Sequence, residues 1–218
     1  MSTILLTGFA PFGDSKTNPS QQVAESLHGE IICGAQVISL TLPVVMGADA
    51  EQLTSAIAEH KPHLVLSLGL ASGATCLEVE RFAINLKVTE ADDPSKPLAP
   101  NLPQSLIIND GMTALFSTLD TEQIAAAIRT KAGVPARAHG FAGSYACNHI
   151  LYQTLHYAMQ WDLTYKAGFI HLPLSSEQVI TENKLHLPSM PLSVMITGVR
   201  AAIEEALSSE VEHQMNTK

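Results

Sequence analysis

A cysteine at the start of a predicted helix is the first candidate for chemistry in this sequence. Cys147 follows the small-residue run Ala-Gly-Ser-Tyr-Ala, and apolar residues recur after it at Ile150, Leu151 and Leu155. This helical spacing predicts a helix whose first turn begins at or just before Cys147. The unpaired N–H groups and the dipole of a helix start favour the thiolate, which is the nucleophilic form of cysteine. A cysteine that only packs in the core is the competing interpretation, and this segment alone does not choose between the two.

A histidine near the end of a predicted strand could activate this cysteine. His171 lies in the apolar segment of residues 166–172. Sites of parallel α/β sheets form at the carboxyl ends of the strands, so His171 could approach Cys147 and act as its base. The alternative is a histidine hydrogen-bonded within the core. His149 is nearer in sequence, but two positions along a helix it points away from Cys147.

A carboxylate could orient the imidazole of His171 as the third group of such a site. Glu78 and Glu80 lie in the alternating segment Leu-Glu-Val-Glu-Arg-Phe-Ala-Ile-Asn and share one face of a predicted strand. We expect at least one of them to face solvent without a role. A half-buried carboxylate requires a partner, and either His171 or Arg81 could supply it. Spacing alone does not separate Glu80 from Glu78.

The elements that must position these residues alternate between strands and helices. The predicted strands are residues 3–7, 36–42, 63–68, 77–86, 136–141 and 166–172, and the predicted helices are residues 19–28, 47–60, 121–131, 147–160 and 193–207. Asn18 is the expected N-cap of the first helix, and residues 87–110, rich in proline, are expected to form a surface loop. The alternation predicts an α/β fold with a mostly parallel sheet covered by helices on both faces. We expect one domain spanning residues 1–218.

Charge and composition exclude several classes of function. The net charge is −9 without any run rich in lysine or arginine, which argues against nucleic acid or an anionic membrane surface as a partner. The isolated cysteines Cys33, Cys76 and Cys147 are an odd number without a disulfide pattern, as is typical of a reducing compartment. The N-terminal residues lack the features of a signal peptide. We therefore predict a cytoplasmic protein.

Two further patterns argue against bound nucleotides and metals. Residues 8–16 resemble a phosphate-binding loop after a strand, but Asp14 takes the place of the lysine and would repel phosphate. The metal-binding patterns CxxC, HxxxH and HExxH do not occur, and the cysteines are isolated. The sequence thus predicts neither a nucleotide site nor a metal site.

Several of these segments together resemble the pyroglutamyl peptidase I (pyrrolidone-carboxylate peptidase) family of cysteine peptidases. The similarity runs over almost the full length and rests on six motifs in the family's order: TGFAPFG with Asn18-Pro19-Ser20, LPVVMG from Leu42, VERFAIN from Val79, DGMTALFSTL from Asp110, AGSYACNH around Cys147, and GFIHLP around His171.

This resemblance implies an activity and a role for each candidate residue. It implies an open, twisted three-layer α/β/α sandwich that removes an N-terminal pyroglutamyl residue from peptides without a cofactor. Cys147 would be the nucleophile, His171 would be the base and acid, and Glu80 would be the catalytic glutamate that holds the imidazole. The backbone N–H of Cys147 would donate to the oxyanion.

The resemblance also implies substrate contacts and self-association. Phe9 and Phe12 match the aromatic residues that enclose the lactam ring, and Asn18 matches a position that supports the pocket. The implied partners are peptides with N-terminal pyroglutamate, together with further copies of the chain in a homo-oligomer, either a dimer or a tetramer.

The chain departs from the family pattern in two places. Leu70 follows Gly69 where many members have glutamine, and no arginine occurs between Arg81 and Arg129, where many members carry one in the loop after the glutamate. Two alternatives therefore stay open: a related amide hydrolase of altered specificity, and a catalytically weak binding protein on the same scaffold.

Overall fold

The structure, a computed structural model, describes residues 2–87 and 105–215, with side chains as far as residue 208. The strands are β1 (Ser2–Phe9), β2 (Ile31–Ile32), β3 (Ala35–Leu42), β4 (Leu64–Leu70), β5 (Leu77–Ile84), β6 (Ala114–Phe116), β7 (Ala136–Phe141), β8 (Lys166–Leu172), β9 (Leu174–Ser175) and β10 (Ser189–Met190). The helices are α1 (Pro19–Ser26), α2 (Ala48–His60), α3 (Thr121–Ala132), α4 (Ala146–Gln160), α5 (Ser176–Thr181) and α6 (Leu192–Met215).

One mixed sheet forms the centre of the molecule. Its strand order is β2-β3-β1-β4-β8-β5-β6, and β7 also pairs with β5. The four consecutive strands β3, β1, β4 and β8 run parallel to one another, β2 is antiparallel to β3, and β7 is parallel to β5. β5 runs antiparallel to both β8 and β6. The predicted α/β class with a mostly parallel sheet is confirmed, with β5 reversed relative to β8.

Two hydrophobic cores lie on opposite faces of this sheet and give three layers. Leu6 of β1 belongs to the core that contains Ile128 of α3, and α1 and α6 contribute to the same core. The next residue towards the N-terminus, Leu5, belongs to the core that contains Leu53 of α2 and Ile150 of α4. Strands buried on both faces read as continuous apolar runs, which is why residues 4–6 are apolar without alternation.

The predicted elements occur with shifted ends, and the short ones escaped prediction. The helix predicted to end at residue 207 extends to Met215, and the strand predicted to end at residue 86 stops at Ile84. β6 and α5 were not predicted, because three to six residues are too few to establish a period. Of the predicted loop, residues 88–104 lie outside the described residues. No helix in the described part of the chain combines the length and apolar character required to cross a membrane.

A buried histidine–carboxylate hydrogen bond links the helices on one face. Nδ1 of His149 in α4 lies 3.0 Å from Oδ2 of Asp49 in α2, and both side chains are buried. The other oxygen of Asp49 accepts hydrogen bonds from the backbone N–H groups of Gly47 and Ala50, so the same carboxylate secures the start of α2. His149 therefore faces α2, in agreement with the expectation that it points away from Cys147.

Replacing His149→Ala should destabilise the protein by about 3 kcal/mol, because it leaves Oδ2 of the buried Asp49 carboxylate without its hydrogen-bond partner. Denaturant unfolding followed by circular dichroism measures this loss. The exposed His63→Ala serves as the control and should change the free energy of unfolding by less than about 0.5 kcal/mol. Equal stability of the two variants would contradict the structural role of the pair.

Candidate active site

Cys147 lies in the first turn of α4, directly above the end of β4. Tyr145 is the N-cap of the helix, so Cys147 is the second helical residue and its backbone N–H has no partner within the helix. A Cβ atom on Gly69 would lie 2.8 Å from Sγ of Cys147 and 2.6 Å from Cζ of Phe169. Only a residue without a side chain lets the thiol approach the strand this closely.

His171 lies beside this thiol on the neighbouring strand. It pairs in register with Gly69 across β4 and β8, and its side chain is buried. Its ring contacts that of Phe169, with centroids 4.8 Å apart. Nδ1 of His171 lies 2.6 Å from Oε1 of Glu80. Because a carboxylate only accepts hydrogen bonds, Nδ1 is the donor, and Nε2 is the nitrogen left to interact with Cys147.

Glu80 is the carboxylate that contacts His171, and its side chain is completely buried. Glu78 is only 7% exposed and forms an ion pair with Arg137. The expectation that one of the two glutamates faces solvent is therefore wrong: both lie in the interior, each with its own partner. Arg81 was considered as a partner for these carboxylates, but it pairs with Glu122 of α3.

The surroundings of His171 favour its protonated form. Burial by itself lowers the pKa of His171, but the charge of Cys147 and a hydrogen bond with it, together with the hydrogen bond and the charge of Glu80, raise that pKa to about 10. The native state thus holds a proton that the unfolded chain releases near pH 6.5. Because the folded pKa is the higher one, this contribution to stability is complete below about pH 6.5 and is lost as the pH rises through about 10.

The residue after the cysteine ties α4 to the strand that carries Glu80. Asn148 is fully buried, and its Nδ2 donates to the backbone oxygens of Ile84 and Leu86, at 2.9 Å in both cases. Its Oδ1 accepts from the backbone N–H of Ile84, also at 2.9 Å. These three hydrogen bonds set the position of Cys147 relative to β5. The sequence analysis did not identify this role.

The residues predicted to surround the substrate lie at the same edge of the sheet. Phe9 is buried at the end of β1, in the core against which Cys147 packs. Phe12 follows in the loop and is 43% exposed. Asn18 is buried, and its predicted N-cap role is confirmed: Oδ1 accepts from the backbone N–H of Ser20. Its Nδ2 also donates to the backbone oxygen of Ala10, which fastens the loop that carries Phe12.

Of the two places where the sequence departs from the family pattern, the structure describes Leu70, whereas most of the other lies outside the described residues. Leu70 ends β4, pairs with Leu172 and is half-buried. Most of the loop without an arginine falls within residues 88–104, which the structure does not describe.

One cluster of three side chains has a spacing that would suit a metal ion. Among the described residues, ligand atoms of Glu78, Glu80 and His139 lie within 4.8 Å of one another. All three side chains already have protein partners, since Arg137 binds Glu78 and two histidines bind Glu80. A cation would have to compete with these contacts.

His139 and Arg137 are two further site neighbours that the sequence analysis missed. Nδ1 of His139 lies 2.9 Å from Oε2 and 3.1 Å from Oε1 of Glu80. The segment Ala-Arg-Ala-His-Gly-Phe contained a usable signal, because Arg137 and His139 alternate with alanines and therefore share one face of β7.

Replacing Cys147→Ser should lower the pH at which the His171 ring loses its proton, because the thiolate that stabilises the imidazolium is removed. The midpoint is measured by NMR titration of the ring nitrogens of His171. The exposed Cys33→Ser should leave it unchanged. An unchanged midpoint in the Cys147 variant would show that the thiolate is not a cause of the raised pKa.

The sequence matches a known peptidase family over nearly its whole length. The profile of the family described as Pyroglutamyl peptidase matches residues 2–209. The pyrrolidone-carboxylate peptidase of Bacillus cytotoxicus is 39% identical over 212 residues, which cover 96% of this chain and 95% of the relative. The enzyme of that name from Lacticaseibacillus paracasei is 39% identical over 216 residues, with 98% and 96% covered.

Solved structures give the same result. Pyrrolidone carboxyl peptidase from Pyrococcus furiosus superposes with a TM-score of 0.86 at 34% identity, over 95% of this chain and 99% of that one. The Thermococcus litoralis protein superposes with a TM-score of 0.88 at 32% identity, over 98% and 96%. Sequence and fold agree over nearly the whole length, and the chain belongs to the pyroglutamyl peptidase family of cysteine peptidases.

Proposed function

We propose that the protein hydrolyses the amide bond that follows an N-terminal pyroglutamyl residue of a peptide, with Cys147 as nucleophile, His171 as base and acid, and Glu80 as the group that orients His171. The observation that carries this proposal is the hydrogen bond of 2.6 Å between Nδ1 of His171 and the buried Oε1 of Glu80. It commits Nδ1 to the carboxylate and leaves Nε2 for the thiol, as nucleophilic catalysis by a cysteine–histidine pair requires.

The reaction proceeds in two steps. The Cys147 thiolate attacks the pyroglutamyl carbonyl carbon, and the oxyanion that forms accepts a hydrogen bond from the backbone N–H of Cys147 at the start of α4. The C–N bond breaks, and the imidazolium of His171 protonates the departing amine of the shortened peptide. His171 then takes a proton from water, which attacks the thioester and releases pyroglutamate and the free thiolate.

Specificity for the lactam ring is assigned to the loop after β1. Phe9 and Phe12 offer apolar walls, which suit an N-terminal residue without a free amino group. The three hydrogen bonds of the Asn18 side chain with Ala10 and Ser20 hold this loop against α1, so we expect Asn18 to support the pocket. A rigid pocket reduces the entropy lost on binding.

The domain organisation, location and partners that we propose rest on the sequence. We propose that residues 1–218 act as one peptidase domain in the cytoplasm, without a cofactor. The partners are pyroglutamyl peptides and further copies of the chain in a dimer or tetramer. The net charge of −9 disfavours nucleic acid and anionic membrane surfaces.

A related amide hydrolase with altered specificity is the second candidate. It is supported by Leu70, which places an apolar side chain next to Gly69 where many members of the family have a polar glutamine. Hydrolysis rates for pyroglutamyl, prolyl and other N-terminal amides separate the two. A clear preference for the pyroglutamyl amide supports the first proposal, and a preference for another group supports the second.

Replacing Cys147→Ala should abolish hydrolysis of a chromogenic pyroglutamyl amide while circular dichroism shows an intact fold. The double variant Cys33→Ser with Cys76→Ser is the matched control and should keep full activity. Its single remaining thiol, Cys147, should react rapidly with iodoacetamide near neutral pH, with loss of activity in parallel. Burial raises the pKa of the Cys76 thiol, so we expect Cys76 to react slowly in the parent protein. Activity that survives in Cys147→Ala would refute the proposed nucleophile.

Replacing Gly69→Ala should lower kcat/KM by on the order of 10-fold or more, because the added methyl group displaces Sγ of Cys147 and the ring of Phe169. Overpacking of this kind also costs about 1–3 kcal/mol of stability. Gly140→Ala is the control, since a Cβ at residue 140 has no neighbour within 4 Å. Full activity of Gly69→Ala would contradict the proposed position of the thiol.

A further inference from the structure

Two histidines approach the Glu80 carboxylate from different strands. Glu80 pairs in register with His139 of β7, and Glu78 on the same strand pairs with His171 of β8. β5 lies between these two strands, so the imidazoles reach the carboxylate from both sides. His171 contacts Oε1 at 2.6 Å, and His139 contacts Oε2 at 2.9 Å and Oε1 at 3.1 Å.

Both contacts are made through Nδ1, which defines the hydrogen positions. A carboxylate has no proton to donate, so Nδ1 of each histidine must carry one. Within the described part of the chain, the hydrogen bonds to Glu80 come from these two imidazoles alone, and the bond to Oε2 comes from His139. The side chain of His139 is 37% exposed, whereas Glu80 is fully buried, so His139 also separates the carboxylate from solvent.

We propose that His139 is a positioning residue for the Glu80–His171 pair: by holding Oε2 it fixes the rotation of the carboxylate and keeps Oε1 directed at Nδ1 of His171. This inference rests on the proposed function of His171 and Glu80. Without a donor on Oε2, the carboxylate rotates so that both of its oxygens share the N–H group of His171, and the 2.6 Å hydrogen bond lengthens. The imidazole of His171 then loses the orientation that directs Nε2 to the thiol of Cys147.

The ion pair beside Glu80 leaves Oε2 of Glu80 to His139. Glu78 already has the guanidinium of Arg137, and the two lie beside Glu80 and His139 along the same two strands. The donor on Oε2 holds the carboxylate in place while Oε1 faces the imidazolium of His171.

The test compares His139→Ala with His139→Asn. Asparagine places an N–H group close to the position of Nδ1 and cannot titrate, whereas alanine removes the donor. For His139→Ala we expect kcat to fall on the order of 10-fold with KM changed less than about 2-fold, as for other hydrogen bonds that orient a functional imidazole. His139→Asn should recover kcat to within about 3-fold of the parent protein, and His63→Ala should have no effect.

A spectroscopic readout makes the test independent of the substrate. The short bond from Nδ1 of His171 to Glu80 should give a far-downfield proton resonance in the parent protein and in His139→Asn. This resonance should move upfield in His139→Ala, and His139→Val serves in its place if the alanine variant does not fold. Parent kcat and an unmoved resonance in the donor-free variant would overturn the proposal, and so would an asparagine variant as impaired as the alanine variant. If the parent protein fails to cleave pyroglutamyl amides, the proposed function fails, but the resonance still decides the role of His139.

Discussion

The buried carboxylate of Glu80 is the constraint on which the rest of the site depends. A charge removed completely from water is tolerated only when hydrogen bonds and an opposite charge replace its hydration. Both donors come from neighbouring strands, His171 from β8 and His139 from β7. β5 must therefore lie between these two strands, and its register with β8 sets Glu78 rather than Glu80 directly opposite His171. The carboxylate of Glu80 can therefore orient His171 only in a sheet with this strand order and register.

The position of the Cys147 thiol depends on close packing. Cys147 reaches the sheet because Gly69 has no side chain, and Asn148 ties the first turn of α4 to the end of β5 through three hydrogen bonds. The Asp49–His149 pair joins the same turn to α2 on its other side. A helix start held from two directions cannot shift easily, which is what a nucleophile beside a rigid imidazole requires.

Much of this was predictable from local sequence, and the failures have a common cause. Cys147 and His171 are predictable because each lies at the terminus of a single element: Cys147 at the start of a helix and His171 near the end of a strand. Arg81 was considered as a partner for a buried glutamate, but it binds Glu122 on α3. Both glutamates are buried, although one was expected to be exposed, because Arg137 and His139 of β7 provide partners for both. The motif of residues 79–85 resembles the family pattern and favoured Glu80, whereas the spacing of the glutamates left the choice open.

The sequence by itself determined the alternation of strands and helices, the two-sided burial of the central strands, the helix start at Cys147 and the family. These properties follow from residue periods and motifs that lie within a few turns of chain. The tertiary structure decided which glutamate meets His171, which histidine shares it, and in which direction β5 runs. The reason is physical: Glu80 and His171 are 91 residues apart, and whether two such side chains meet depends on strand order, direction and register. A one-residue change in register would turn every side chain of β5 to the opposite face while leaving its local pattern intact.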